Sequence, residues 1–155
     1  MVELLPQIRN AVRALILKND AILAQHKVYE DGSERYVLPG GAPKTGETLL
    51  QGLQRECHEE IGCEIEVEDL VYIADFFKPR ETVPPTKRQQ VEFIFRCHVS
   101  ETYTPQNGAY PDKHQKDVVW LKISEIENKP FFPRAMSKII SEYSQTSPVY
   151  LGLID

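Results

Sequence analysis

Apolar residues dominate two short β-type runs near the start of the chain, Ala11–Leu17 and Ala21–Val28. Lys18-Asn19-Asp20 separates them, and Asn-Asp between apolar runs is hairpin chemistry, so the pattern predicts two antiparallel strands. A third short run, Arg35–Leu38, stops at Pro39-Gly40-Gly41, where the chain must turn sharply. The period then changes. Leu49, Leu50, Leu53, Cys57 and Ile61 recur at three-to-four spacing, which predicts a helix over Thr48–Ile61. Thr48 with Gln51 fits a capping box at its start, and Gly62 is the expected stop.

Extended segments resume at Glu64–Val67 and Leu70–Phe77, and again at Gln90–Val99, where Val91, Phe93, Phe95 and Cys97 alternate with Glu92, Ile94, Arg96 and His98. Asp117–Ile123 reads as a further strand, with Trp120 as a core residue. Ser124 and Glu127 suggest a second capping box on a short helical turn, and Pro133–Tyr143 reads as a helix. No proline is expected inside these elements. Lys78–Arg88 and Ser100–Lys116 are read as loops, either substrate-contacting or solvated; the second exceeds the length of most structureless connections. Strands interleaved with two principal helices predict a layered α/β domain. The apolar tail Val149–Ile154 should dock on its own domain or on a second subunit, leaving a homodimer open.

The 155 residues fit one domain, 1–155, and 41% apolar content can fill its core. The formal net charge of −5 argues against a nucleic-acid module, whose affinity comes from Lys and Arg meeting phosphates. It leaves room for a small phosphorylated substrate if metal ions neutralise acidic groups. Cys57, Cys63 and Cys97 show no pairing pattern, so neither a zinc site nor a disulfide framework is expected. No run is long enough for a membrane span, and Met1–Pro6 lacks a basic region before an apolar stretch, so a cytoplasmic protein with no membrane partner is expected.

The helix carries Glu56, Glu59 and Glu60 near its end. Glu56 and Glu60 are four apart and lie on one face, a like-charge pair that costs about 0.2–0.5 kcal/mol. The helix terminus there is itself partially negative and disfavours acids. A cation should therefore sit against them. The alternatives are a hard divalent ion with oxygen ligands or an ordinary acidic face paired with Arg55 or Lys44. On a helical wheel Glu56 and Glu60 flank the apolar stripe, where a cleft can form, and Glu59 lies further round.

The segment from Gly41 to Cys63 resembles the Nudix box, G-x5-E-x7-R-E-U-x-E-E-x-G-U with U apolar. Gly41, Glu47, Arg55, Glu56, Glu59, Glu60 and Gly62 fill its fixed positions, and Leu38-Pro39-Gly40 resembles the family's approach to it. Both U positions hold cysteine, which suits core packing. The resemblance implies a Nudix-type α/β/α sandwich with a mixed β-sheet, and a pyrophosphohydrolase that cleaves a nucleoside diphosphate linked to another moiety. It implies Mg²⁺ or Mn²⁺ held by Glu56, Glu59, Glu60 and the Gly40 carbonyl, with an Arg55–Glu47 ion pair orienting the carboxylates. In the reaction so implied, divalent ions screen the diphosphate and activate water, and a glutamate, Glu56 first, accepts its proton.

For the substrate, Pro79 lies loosely where the family's ADP-ribose hydrolases carry a proline, which favours ADP-ribose or a nucleotide sugar. Alternatives are a MutT-type nucleoside triphosphate pyrophosphohydrolase and a non-catalytic nucleotide-binding module. Isomerase chemistry lacks its cysteine context here, and a DNA-binding regulator lacks room. Candidate substrate contacts are Phe77, Lys78, Arg80, Arg88, Glu92 and Asp117. Phe76, Phe77 and Tyr72 either stack a base or pack between strands, and His58 should be solvated.

Overall fold

A computed structural model describes residues 2–155. Strand β1 (Glu3–Leu4) is followed by β2 (Arg9–Lys18), β3 (Ala21–Val28), β4 (Glu34–Val37) and β5 (Gly40–Gly41). Helix α1 (Leu49–Ile61) comes next, then β6 (Glu66–Arg80), β7 (Thr86–His98) and β8 (Gln115–Lys122). A 3-10 turn (Ile123–Asn128), α2 (Met136–Ser141) and β9 (Tyr150–Ile154) complete the chain. The mixed sheet runs β4-β3-β2-β7-β6-β9, with β1 on β7, β5 on β2 and β8 on β3.

Alternation along β2 builds both cores. Val12, Ala14 and Ile16 pack with Leu53, Cys57 and Ile61 of α1, whereas Leu15 joins Ile94, Tyr72, Met136 and Ile140 on the α2 side. The result is an α/β/α sandwich in which the box cysteine Cys57 is core, as its burial requires. Asn19 and Asp20 adopt φ of 48° and 62°, the left-handed pair that a tight hairpin demands. Thr48 Oγ1 accepts from the Gln51 backbone N–H at 3.1 Å, Gln51 reciprocates, and Gly62 ends the helix at φ 68°. No helix among the described residues is long and apolar enough to cross a membrane.

One feature of the β2–β3 hairpin creates the site. Only Leu17↔Ile22 and Lys18↔Ala21 pair, so the strands part beyond them. The Gly40–Gly41 arch fills part of that gap, pairing Arg13 with Gly40 and Val12 with Gly41. A Cβ on Gly40, at φ 140°, would lie 2.0 Å from the Val12 carbonyl oxygen, so only glycine permits the contact.

Five expectations are corrected. The segment 78–88 is no loop: β6 and β7 pair out to Arg80↔Thr86, leaving a short connection between them. The segments expected at Glu64–Val67 and Leu70–Phe77 fall on one strand that begins only at Glu66, and its irregularities at Val67, Leu70 and Tyr72 mimic a break in the pattern. Pro79 therefore lies inside β6, at a place where β9 has already ended opposite Phe76, so a missing N–H costs nothing on that side. The turn after β8 has no side-chain cap from Ser124, and the second helix is confined to Met136–Ser141. The tail forms β9, parallel to β6 of its own chain, with Leu151 and Ile154 against the α2-side core.

Candidate active site

The end of α1 faces a cleft of about 390 Å³ in which Glu56, Glu60, Gly40 and Gly41 meet Arg13, Lys78 and Arg80. Arg55 organises the acidic side. Its Nε and Nη2 donate to the two Glu47 oxygens at 2.8 and 3.0 Å, and Nη1 donates to Glu56 at 3.0 Å and Glu59 at 3.2 Å. The hydrogen bonds from Arg55, with the Lys44 N–H, hold the Glu47 carboxyl down at about 2. A guanidinium fork suits this multidentate grip, which a lysine could not copy.

Glu60 differs from its neighbours because it is buried, 3% exposed. It accepts the Gly40 N–H at 3.1 Å, and Arg13 Nη1 in turn donates to the Gly40 carbonyl at 3.2 Å. Burial, reinforced by Asp112 and Glu56, pushes the Glu60 carboxyl up to about 8, against the pull of Arg13. Gln25 is fully buried, and neither of its amide atoms has a hydrogen-bond partner. Clustered carboxylates beside one unpartnered amide oxygen suit a cation with hard oxygen ligands. Glu59 is turned towards Arg55 and does not line the cleft. Among the described residues, no three His, Cys, Asp or Glu side chains converge closely enough to hold an ion as they stand.

The connection between β7 and β8 is tied to the helix end. Gly108 and Tyr110 N–H groups donate to the Glu60 and Glu59 carbonyls at 3.0 and 2.9 Å, and Gln115 Nε2 reaches the Glu60 carbonyl at 2.8 Å. These donors satisfy carbonyls that every helix leaves open at its end. A Cβ on Gly108 would lie 2.2 Å from the Glu59 carbonyl oxygen, which explains the glycine. The same connection delivers Asp112, bound to Lys27 at 2.6 Å, to the cleft.

Of the substrate candidates, Lys78 and Arg80 line the cleft. Arg88 lies beside it, sharing an adjoining groove with Arg9. Glu92 is buried and bound to Arg13 at 3.4 Å, beneath the cleft rather than in it. Phe77 and Pro79 line a separate groove near Phe132 and Ile154, while Phe76 and Tyr72 pack in the interior. Asp117 pairs with His26 at 3.0 Å, and His26 stacks on Tyr36, so this carboxylate is kept away from Glu60. His58 is exposed and Trp120 packs on the α1-side core. Reading the sequence missed Arg13, Lys27 and Asp112. An arginine inside the apolar run Ala11–Leu17 was the one available signal.

The NUDIX domain family matches residues 7–143. Similar solved structures include a NUDIX hydrolase from Nitrosomonas europaea, 24% identical with TM-score 0.64, covering 79% of this chain and 78% of that one. Mutator MutT protein from Bacillus halodurans is 21% identical, with TM-score 0.63 over 93% and 86% of the two chains. An ADP-ribose pyrophosphatase from Streptococcus suis is 17% identical, with TM-score 0.61 over 95% and 98%. At these identities the likeness is one of fold. No curated protein matches the chain. With the family matched along most of its length and the box helix set at a cleft, the chain belongs to the NUDIX domain family and is a Nudix hydrolase, one of a group that generally uses divalent metals and acts on small nucleotide-derived substrates.

Proposed function

We propose that residues 1–155 form a single-domain, Mg²⁺- or Mn²⁺-dependent pyrophosphohydrolase that cleaves a nucleoside diphosphate linked to another moiety. One observation carries this reading: the buried Glu60 and the Glu56 carboxylate line one side of a cleft whose other side is cationic. A diphosphate needs both, cations for its own charge and carboxylates for a metal and for water. Glu56 and Glu60 would hold the metal, with Glu59 joining them on release from Arg55 and the Gly40 carbonyl on release from Arg13. A bound divalent ion would supply Lewis-acid screening of the phosphoanhydride.

The chain's own groups do the rest. Arg55 and Glu47 orient the carboxylates; Gly41 leaves the space that Glu56 occupies, since a Cβ there would lie 2.7 Å from that carboxylate. Glu56 is the first choice to accept a proton from the attacking water. Lys78 and Arg80 would bind phosphate oxygens and fix the anhydride in the cleft. ADP-ribose and nucleotide sugars are the first substrates to test. Pro79, whose spacing from the box favours ADP-ribose, lines the groove beside Phe77 and Phe132. A nucleoside triphosphate is the second reading, favoured by the number of cations. Product analysis decides: two monophosphates from ADP-ribose support the first, and pyrophosphate released far faster from a triphosphate supports the second. No cleavage of any nucleotide in Mg²⁺ or Mn²⁺ contradicts both.

A further inference from the structure

A cation of the chain's own is already seated at the acidic turn. Arg13 stands on β2 across the ladder from Gly40, and its side chain lines the cleft. Nη1 donates to the Gly40 carbonyl at 3.2 Å, while Nε donates to Glu92 Oε2 at 3.4 Å. The other Glu92 oxygen accepts from Gln90 Nε2 at 3.4 Å, and both of these side chains are buried. The charges of Glu60 and Asp112 also act on the guanidinium. Among the described residues, no other cation that lines the cleft is bonded to Gly40, Glu56 or Glu60.

Glu92 needs a reason. It is 1% exposed, and Arg13 is its one ionic contact among the described residues. Its strand neighbours are Ala11 and Ala74, small residues that leave room for an apolar side chain at this position. Replacing a buried ion pair with well-packed apolar residues is often neutral or stabilising, so stability does not explain the pair. Nor is the guanidinium packed solid. It lies between the cleft and a chamber of about 50 Å³ that Gln90, Glu92 and Asp112 also line. A group anchored at Nε and open on both sides can turn its Nη atoms without losing Glu92.

The Gly40 carbonyl cannot serve a guanidinium and a divalent ion together, because the two would stand side by side with like charge. Resting on the metal reading above, we propose that Arg13 is an exchangeable cation. In the ion-free protein it holds the Gly40 carbonyl in the ion's stead. In the loaded protein it gives that carbonyl up and donates to a phosphate oxygen of the anhydride, the charged acceptor nearest at hand. Glu92 is its positioning residue, the pivot that keeps Nε fixed in both states. Arg13 then contacts substrate only with the ion in place, so one side chain links the two binding events.

Mn²⁺ alone, titrated into the full chain and followed by the electron paramagnetic resonance of the free ion, tests the exchange. Arg13→Met combined with Glu92→Gln keeps the net charge of the pair, leaves Gln90 a partner and buries no lone carboxylate. It should bind Mn²⁺ at least about threefold more tightly than wild type, because the carbonyl is free. At saturating Mn²⁺ its kcat/KM should fall about tenfold or more, because a phosphate contact is gone. A tighter ion site in a slower enzyme is the signature: a side chain that supports the ion would lose both, and a structural one would leave Mn²⁺ affinity unmoved. If that variant does not fold, Glu92→Gln alone decides. Without its pivot Arg13 leans on the acidic turn, and Mn²⁺ should bind about threefold more weakly with a raised KM. Mn²⁺ affinity unchanged in Glu92→Gln, no tighter in the double variant, or kcat/KM undiminished there, overturns the proposal and leaves the metal reading intact. Wild type that binds no Mn²⁺ overturns both.

Discussion

Arg55 grips Glu47 through two guanidinium nitrogens, at 2.8 and 3.0 Å, while its third reaches Glu56 and Glu59. The pair thereby couples the loop before the helix to the acidic turn at its end. Arg55→Lys keeps the charge but loses the fork. Its kcat is expected to fall about 10–100-fold, the usual cost of losing a group that orients metal ligands. A steady-state assay in Mg²⁺ checks this, and unchanged turnover would remove Arg55 from the account.

The same pair sets a stability signature in acid. The Glu47 carboxyl sits at about 2, below its ordinary value of 4.5, so its contribution is complete above that value. It declines as pH falls below 4.5 and is gone beneath about 2. Wild type should melt above Glu47→Gln at neutral pH, with the gap closing through that acid window. A gap independent of pH would contradict it.

Gly40 and Gly41 are adjacent and should fail differently. A Cβ at Gly40 meets the Val12 backbone at 2.0 Å with φ at 140°, so Gly40→Ala should cost more than about 2 kcal/mol in denaturant melts. At Gly41 the obstacle is the movable Glu56 carboxylate, 2.7 Å away. Gly41→Ala should fold with a Tm near wild type and lose about a hundredfold in kcat, since small displacements of reacting groups carry large penalties. A Gly41→Ala protein that turns over at the wild-type rate would argue against a catalytic Glu56.

Lys78 supplies a pH test. Burial lowers its pKa from 10.5 to about 8, Arg13, Lys27 and Arg80 push it the same way, and Glu92 opposes them. It is a cation below about 8 and neutral above, so kcat/KM for a diphosphate substrate should decline as pH rises through that value. Lys78→Arg stays charged and should lack that limb. A pH–rate profile unaltered by the substitution would show that Lys78 does not bind phosphate.

The order of elements was legible because local rules carry it. Thr48, Gln51 and Gly62 bracket α1, and the Asn19-Asp20 turn pairs β2 with β3. The carboxylates of the acidic turn were visible as residues placed against the helix's own interest. What stayed hidden depends on long-range register. Asp112 and Asp117 both precede or open β8, and only the shift between His26 and Lys27 decides that Asp117 meets His26 while Gln115 turns to the helix end. Lys78, Arg80 and Arg88 read as a charged loop because their strand partners lie across a hairpin that shows no periodicity of its own. Arg13 could be seen as an anomaly in an apolar strand, but its partner Glu92 lies on a strand far along the chain.

The central claim is tested most directly by incubating wild type, Glu56→Gln and Glu60→Gln with a nucleoside diphosphate-linked substrate and Mg²⁺ and separating the products. Wild type should release two phosphorylated fragments, while each variant, folded by circular dichroism and melting, should be slower by more than about a hundredfold. A Glu60→Gln protein that turns over at the wild-type rate would contradict the account at its root.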